Sequence, residues 1–316
     1  MQGRIVKAQS GFFWVEVENE NAAGAVYMCR LRGRLLEEAQ ASDVAAIGDY
    51  VTISPLEDGT GTVESVEPRT SAISRAQRTE GARGAGGPER EEVLVANAQQ
   101  ALFVFAAAAP EPNFRLLDRF LVMGEKSDIE RIIIVINKTD LLGTEASAAK
   151  FKSYSDVDYT LLCTSALTQT GIEELRAILK DKVSVFTGPS GVGKTSLLNA
   201  IQPGLGRSVK AVSNLTQVGT HTTRDSELIK LEFGGYVADT PGIRTLTIWD
   251  VEPEELDAYF REIESRLGQC RFADCAHRAE PGCAVRAAVE SGEISKSRYQ
   301  SYLSLREELE QSFVID

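Results

Sequence analysis

Residues 183–195 read Val183-Ser184-Val185-Phe186-Thr187-Gly188-Pro189-Ser190-Gly191-Val192-Gly193-Lys194-Thr195, and the amphipathic segment 196–201 follows. A β-favouring run, a glycine-rich turn and a helix start in that order surround an anion with backbone N–H groups and the helix dipole. Lys194 supplies a point charge to β- and γ-phosphates, and the Thr195 hydroxyl is a candidate Mg²⁺ ligand. The competing reading is an incidental glycine-rich strand–helix turn. The full motif with both flanking elements makes that a poor competitor. The segment implies a nucleotide's phosphates and a parallel α/β sheet, and says nothing about the base.

Working outward, buried-type strands are expected at 101–106, 131–136, 160–164 and 236–239, with helical spacing at 116–125, 171–179 and 194–201. This alternation is that of a doubly wound α/β sheet. Strand 131–136 ends in Asn137-Lys138-Thr139-Asp140, at the strand end where such sheets place ligand contacts. An Asp140 carboxylate can accept both the ring N–H and the exocyclic amine of guanine, which adenine does not offer in that geometry. Asn137 can orient on the other base edge, and the Lys138 stem can pack over the ring. The next strand runs into Ser165-Ala166, read either as a backbone N–H donor to guanine O6 or as a plain turn. Cys163 reads as a small buried hydrophobe.

Downstream, Asp239-Thr240-Pro241-Gly242 ends a strand, so Asp239 is placed to hold Mg²⁺ through water and the Gly242 N–H to meet a γ-phosphate. In Gly219-Thr220-His221-Thr222-Thr223-Arg224-Asp225, Thr223 is the first choice to complete the Mg²⁺ shell, with Thr222 the alternative. Base reader, Ser-Ala turn, phosphate loop, first switch and second switch is a circular permutation of the usual order. It sets both switches beside whatever follows, so movement of the second is expected to pull on residues after Gly242. Ile243 stands where many GTPases carry a water-orienting Gln, and an aliphatic side chain cannot align water. His221 in the first switch is read either as the catalytic water-positioning group or as a packed or solvent-exposed switch residue.

Residues 1–68 read as five short strands, 3–7, 11–17, 26–31, 49–53 and 61–66, bounded by turn residues. The expectation is an OB-fold barrel, with an SH3-like barrel or another small β domain as alternatives. Residues 69–92 read as a basic, Gly-rich linker or loop. Its Arg69, Arg75, Arg78, Arg83 and Arg90 are either solvated or phosphate-contacting. The central domain spans 93–249. Residues 250–316 are expected to be helical around Cys270, Cys275, His277 and Cys283, a closed Cys₃His set for one structural Zn²⁺.

A formal charge of −12 argues against a surface that coats nucleic acid throughout, though not against a local basic patch. No apolar run is long enough for a membrane span. The segment after Met1 alternates like a strand rather than a leader, so no signal peptide or membrane partner is expected and the location is read as cytoplasmic. Five cysteines, most clustered near one end, suit metal better than disulfides.

Together these residues resemble the small ribosomal subunit biogenesis GTPases, the RsgA or YjeQ family. The resemblance spans the barrel, Asn-Lys-Thr-Asp, the permuted phosphate loop, Thr-His-Thr-Thr, Asp-Thr-Pro-Gly and the stretch from Cys270 to Ala288. It implies an OB-fold, a permuted GTPase domain and a zinc domain. It also implies a monomer using GTP/GDP, Mg²⁺ and Zn²⁺ that binds the small (30S) subunit and its 16S-type rRNA late in maturation. Hydrolysis would be slow alone and stimulated by the subunit. The rival is a GTP-dependent switch or scaffold for a protein partner. Two departures stand out: Ala96-Asn97-Ala98-Gln99-Gln100 where the family usually has Ala-Asn-Val-Asp-Gln, and Thr220 in place of a more usual Arg.

Overall fold

The computed structural model describes residues 1–18, 24–38, 42–77, 90–206, 226–238 and 251–313. The N-terminal segment forms β1 (Gln2–Gln9), β2 (Phe12–Val17), β3 (Val26–Leu31), α1 (Gly33–Glu38), β4 (Tyr50–Pro55) and β5 (Thr60–Val66). Strand order β1-β2-β3-β5-β4 closes through a β1–β4 pairing, and β3 runs parallel to β5. That closure is OB-fold topology and excludes the SH3-like alternative. Alternate positions fill the barrel: Ile5, Val15, Cys29, Val51, Ile53 and Val63 are each at most 1% exposed.

The interruption at 69–92 is narrower than its composition suggests. β6 (Ala72–Gln77) pairs antiparallel with β7 (Arg90–Ala96), and residues 78–89, with Arg78 and Arg83, lie outside the described residues. Ile73 and Val95, 3% and 0% exposed, give this hairpin its buried side. The intervening glycines masked that short alternation in the sequence.

The central unit runs β8 (Gln100–Ala106), α2 (Phe114–Lys126), β9 (Arg131–Asn137), α3 (Thr144–Lys150), α4 (Lys152–Ser155) and β10 (Thr160–Cys163). It continues through α5 (Ile172–Leu179), β11 (Val183–Thr187), α6 (Lys194–Ile201), β12 (Ser226–Lys230) and β13 (Tyr236–Ala238). The sheet order is β10-β9-β8-β11-β13-β12, parallel except for β12. Strands β8 and β11 are buried at every residue, as a sheet covered on both faces requires. Phe103 and Phe105 face a core shared with α2 and α4, whereas Leu102 and Val104 face one shared with α5 and α6. Asn113 starts α2 by accepting the Leu116 N–H at 3.1 Å.

The C-terminal part holds a 3₁₀ turn at Leu256–Tyr259, α7 (Arg261–Glu264), a Cys/His-bearing loop, α8 (Ala284–Ser291) and α9 (Lys296–Phe313). Its core of Val251, Phe260, Ile263, Val285, Tyr302 and Leu305 also takes in Val122 of α2. Arg298, 2% exposed, bonds Glu262 through two nitrogens at 2.7 and 2.9 Å and also donates to Asp118 of α2. Among the described residues no helix is long and apolar enough to cross a membrane.

Candidate functional site

The phosphate loop leaves the centre of the sheet between β8 and β13. Its first glycine is dictated by packing: a Cβ on Gly188 would lie 2.1 Å from the Val104 carbonyl oxygen of β8. Gly193 has φ +94°, and its Cβ would meet Asn137 Nδ2 at 2.5 Å. Lys194 Nζ donates to the Gly188 and Pro189 carbonyls, both at 2.6 Å, so its ammonium is held against the loop's own entry. Thr195 lies half-buried in the first turn of α6. Pro189, Ser190, Gly191 and Val192 complete the loop.

Asn137 joins this loop to the end of β9. Its side chain is 2% exposed, donates from Nδ2 to the Val192 carbonyl at 2.8 Å and accepts from Thr164 Oγ1 at 3.3 Å. Thr139 is buried, with its N–H and hydroxyl both donated to the Thr164 carbonyl at 3.2 and 3.0 Å. These bonds force Lys138 into a left-handed turn at φ 61°. They also leave the Asp140 carboxylate exposed, with the Ser165 hydroxyl donating to one of its oxygens at 2.5 Å. Ser165 in turn fixes the following turn, its N–H bonded to the Thr170 carbonyl and its oxygen accepting from the Thr168 N–H. The Ala166 N–H and the second Asp140 oxygen have no partner among the described residues. Cys163 is half-buried rather than core, and burial pushes its thiol pKa up.

A third wall was not expected from the sequence. Residues 107–113 pass from β8 to α2, where Lys138 donates to the Ala109 carbonyl and Lys150 donates to the Ala107 carbonyl and to Glu111. Pro110 Cδ lies 3.8 Å from the space a Cβ on Gly191 would occupy. The signal was present in Pro110, Pro112 and the helix-capping Asn113 directly after a buried strand. Gln99 of the departing Ala-Asn-Ala-Gln-Gln stretch accepts the Val183 N–H at 2.9 Å, so it secures the start of β11.

Thr220, His221, Thr222, Thr223, Asp239, Gly242 and Ile243 lie outside the described residues. Their flanks are defined: β12 begins at Ser226, and β13 ends at Ala238 beside Val185 of the phosphate-loop strand.

In the C-terminal loop, the ligand atoms of Cys270, Cys275, His277 and Cys283 all lie within 4.8 Å of one another. Cys270 and Cys283 sulfurs are 3.9 Å apart, and His277 Nδ1 lies 3.6 and 3.4 Å from them. A tetrahedron with Zn–S of about 2.3 Å and Zn–N of about 2.0 Å has edges of about 3.5–3.8 Å, so the donor set fits. His277 Nε2 is buried without a hydrogen bond among the described residues, 3.5 Å from Asp257 Oδ2, the carboxylate placed to orient a ligating imidazole. Burial pushes the Cys275 thiol up to about 12, so a bound metal must displace its proton. On Cys270 burial is outweighed by the Ala284 and Val285 N–H groups, which hold its thiol below the usual range.

Among the arginines left open between a solvated and a phosphate-contacting role, Arg69 does neither. It bonds both Asp49 oxygens at 2.9 and 2.8 Å and the Asp43 carbonyl, and Asp49 is fully buried. Arg75 pairs with Glu92, and Arg32 with Glu64.

Residues 66–249 match the RsgA GTPase family, and residues 2–63 match the RsgA N-terminal domain. A protein of Moorella thermoacetica named small ribosomal subunit biogenesis GTPase RsgA is 44% identical over 98% of this chain and 97% of its own. One of the same name from Gemmatimonas aurantiaca is 43% identical over 97% of each. Among solved structures, YjeQ from Thermotoga maritima superposes with a TM-score of 0.76 at 37% identity, covering 98% of both chains. YloQ, described as a circularly permuted GTPase, gives 0.74 at 33% identity over 98% of this chain and 95% of its own. With its OB-fold barrel, permuted sheet and Cys₃His cluster, the chain belongs to the RsgA GTPase family of GTP-hydrolysing enzymes.

Proposed function

We propose that this chain binds and hydrolyses GTP at the carboxyl ends of β8–β11, and that hydrolysis governs its attachment to the small ribosomal subunit late in maturation. The observation that carries the nucleotide site is the 2.8 Å bond from Asn137 to Val192, which holds base reader and phosphate loop at one fixed spacing. Asp140 pairs with the guanine N–H groups, the Ala166 N–H meets O6, and the Lys138 stem covers the ring. Lys194 and the Gly191–Thr195 N–H groups hold the phosphates. Thr195, Thr223 and Asp239 would hold Mg²⁺, which would supply positive charge against the phosphate charge that builds up in hydrolysis. His221 orients the attacking water, since Ile243 cannot. One Zn²⁺ staples the C-terminal loop to its helices.

The names carried by relatives at 43–44% identity over nearly the whole chain support the small subunit as partner. The 16S-type rRNA is then met through local cations of an otherwise acidic monomer in the cytoplasm. Co-sedimentation with 30S particles tests this: a non-hydrolysable GTP analogue should hold the protein on the particle and GDP should release it. Equal recovery in both states, or none in either, overturns the reading and favours a scaffold for another protein.

A further inference from the structure

The Cys/His loop divides its backbone donors between two kinds of acceptor. One group faces sulfur: the His277 N–H toward Cys275, the Ala284 and Val285 N–H groups toward Cys270, and the Arg286 N–H toward Cys283 at 3.4 Å. The other group converges on a carboxylate outside the Cys₃His set. Glu280 accepts the Ala276 N–H on Oε1 at 2.9 Å. Its Oε2 takes the Arg278 and Ala279 N–H groups at 2.7 and 2.9 Å. The carboxylate forms no ion pair with Lys or Arg among the described residues, so backbone alone answers its charge.

This division follows from the turn. His277 has φ +59°, a left-handed conformation that costs a residue with a Cβ about 1–2 kcal/mol. Successive N–H groups around such a residue form a concavity that suits an anion, and here the chain supplies the anion itself. With the N–H groups of 276, 278 and 279 held by Glu280, that of His277 is left for Cys275. The carbonyls of the same turn are pinned from α9, where the Tyr299 hydroxyl donates to His277 and the Tyr302 hydroxyl to Ala276. Pro281 brings no N–H of its own. The Arg271 N–H then meets the Gly282 carbonyl at 3.1 Å, which draws Cys270 and Cys283 together.

The plainer alternative is a half-buried acid that caps a surface loop. Its choice of donors argues against that, since Ala276 sits between two of the metal-binding residues and Arg278 directly follows the second. Attraction to the metal is not the reason either. Three thiolates around one divalent ion leave the loaded site negative, so a nearby carboxylate repels it. What remains is geometry.

We propose that Glu280 is a positioning residue for the metal centre: its carboxylate fixes the 275–279 turn so that Cys275 and His277 are presented together and the His277 N–H stays on the Cys275 sulfur. This deepens the zinc reading above and rests on it. The test starts from the zinc-loaded full chain and follows zinc transfer to a chromophoric chelator at equilibrium. Exchange into cobalt(II) then reports the sulfur ligands by absorption.

Glu280→Ala should weaken zinc binding by about 10- to 100-fold. Glu280→Gln keeps one carbonyl oxygen for the Arg278 and Ala279 N–H groups but sets an amide against that of Ala276, so it should fall between. At cobalt saturation the sulfur-to-cobalt charge-transfer band of Glu280→Ala should move to lower energy, because a sulfur that loses an N–H bond holds its lone pair less tightly. A carboxylate that merely stabilised the loop would leave that band in place. Glu290→Ala, which removes an exposed acid from α8, should match the parent in both readouts. Retained GTP binding shows that the central unit is folded in each variant. Parental zinc affinity in Glu280→Ala, or weakened affinity with an unmoved band, overturns the proposal while the zinc reading stands. A parent protein that takes up neither metal removes the zinc reading, and this inference with it.

Discussion

Replacing Arg298 by Met should undock the C-terminal helix α9 from the nucleotide-binding unit, by an amount set by burial. The guanidinium serves two carboxylates, Asp118 and Glu262, which are 1% and 5% exposed. It also lies 4.7 Å from the Phe260 ring and 5.1 Å from that of Tyr154, so a Met side chain finds apolar company and little cavity forms. The cost therefore lies in charge: two buried carboxylates lose the cation they share, worth about 3–5 kcal/mol. By contrast, Arg119–Glu308 joins the same helices with Glu308 46% exposed, and such a pair is worth at most about 1 kcal/mol. Burial already holds Asp118 above the usual carboxylate range although Arg298 pulls it down, and without Arg298 it should rise further. A carboxyl whose folded pKa exceeds its unfolded one binds its proton more tightly when folded. Stability from that group is present below the unfolded pKa and is lost as pH rises through the folded one. The penalty in Arg298→Met should accordingly be full at pH 7 and shrink toward pH 5. Amide-exchange protection factors in α9 and α2 read this directly: protection in α9 should fall by roughly 10²- to 10⁴-fold at pH 7, while β8 keeps its own. Unchanged protection of α9, or an equal loss at both pH values, would refute the argument.

Other outcomes follow from the site. Asp140→Asn should weaken GTP by on the order of 10⁴-fold and shift preference toward xanthosine triphosphate, measured by nucleotide competition; unchanged GTP affinity removes Asp140 from base reading. Gly193→Ala should cost nucleotide affinity more than stability, because its Cβ would press 2.5 Å from Asn137 Nδ2 and disturb the bond to Val192; calorimetric binding beside thermal unfolding separates the two. Cys275→Ser should release one equivalent of zinc and open the C-terminal loop while GTP binding persists, and metal analysis finding no zinc in the parent protein would contradict this. His221→Ala should remove most of a subunit-stimulated rate, about 10²–10⁴-fold, at nearly unchanged GTP affinity; full stimulated turnover would move the role to RNA or a partner.

Strand and motif positions were legible where one principle dominates. The apolar runs at β8, β9 and β11 are short and bounded by turn residues, which favours strands buried on both faces, and Gly188 to Thr195 matches its motif at every fixed position. The short hairpin β6–β7 was not legible, because Ala72, Ser74 and Ala76 carry little hydrophobic signal and its register depends on contacts across the chain. Arg69 was misread for a related reason. Sequence shows a charge in a Gly-rich stretch, and only the fold reveals buried Asp49 opposite it. The wall at 107–113 acts through backbone carbonyls, which every residue type offers, so composition alone could not assign Ala107 and Ala109 to it.

One arrangement follows from the physics of sheet edges rather than from any motif. Strand β12 would otherwise end the α/β sheet with unpaired N–H and C=O groups, a liability in any protein. Here β1 covers it, with Lys7 opposite Glu227 and Ala8 opposite Ser226. The same strand closes the barrel at its other end, where Gln2, Gly3 and Arg4 pair with β4. A bulge between Ile5 and Lys7 divides the two tasks, since an extra residue bends a strand and increases its twist. Glu16 reinforces the joint by accepting from Tyr236 of β13 at 2.8 Å and from Lys230 of β12. The barrel is thus built onto β12, which follows residues 219–225 in the chain, and is tied through Glu16 to β13, which precedes residues 239–242.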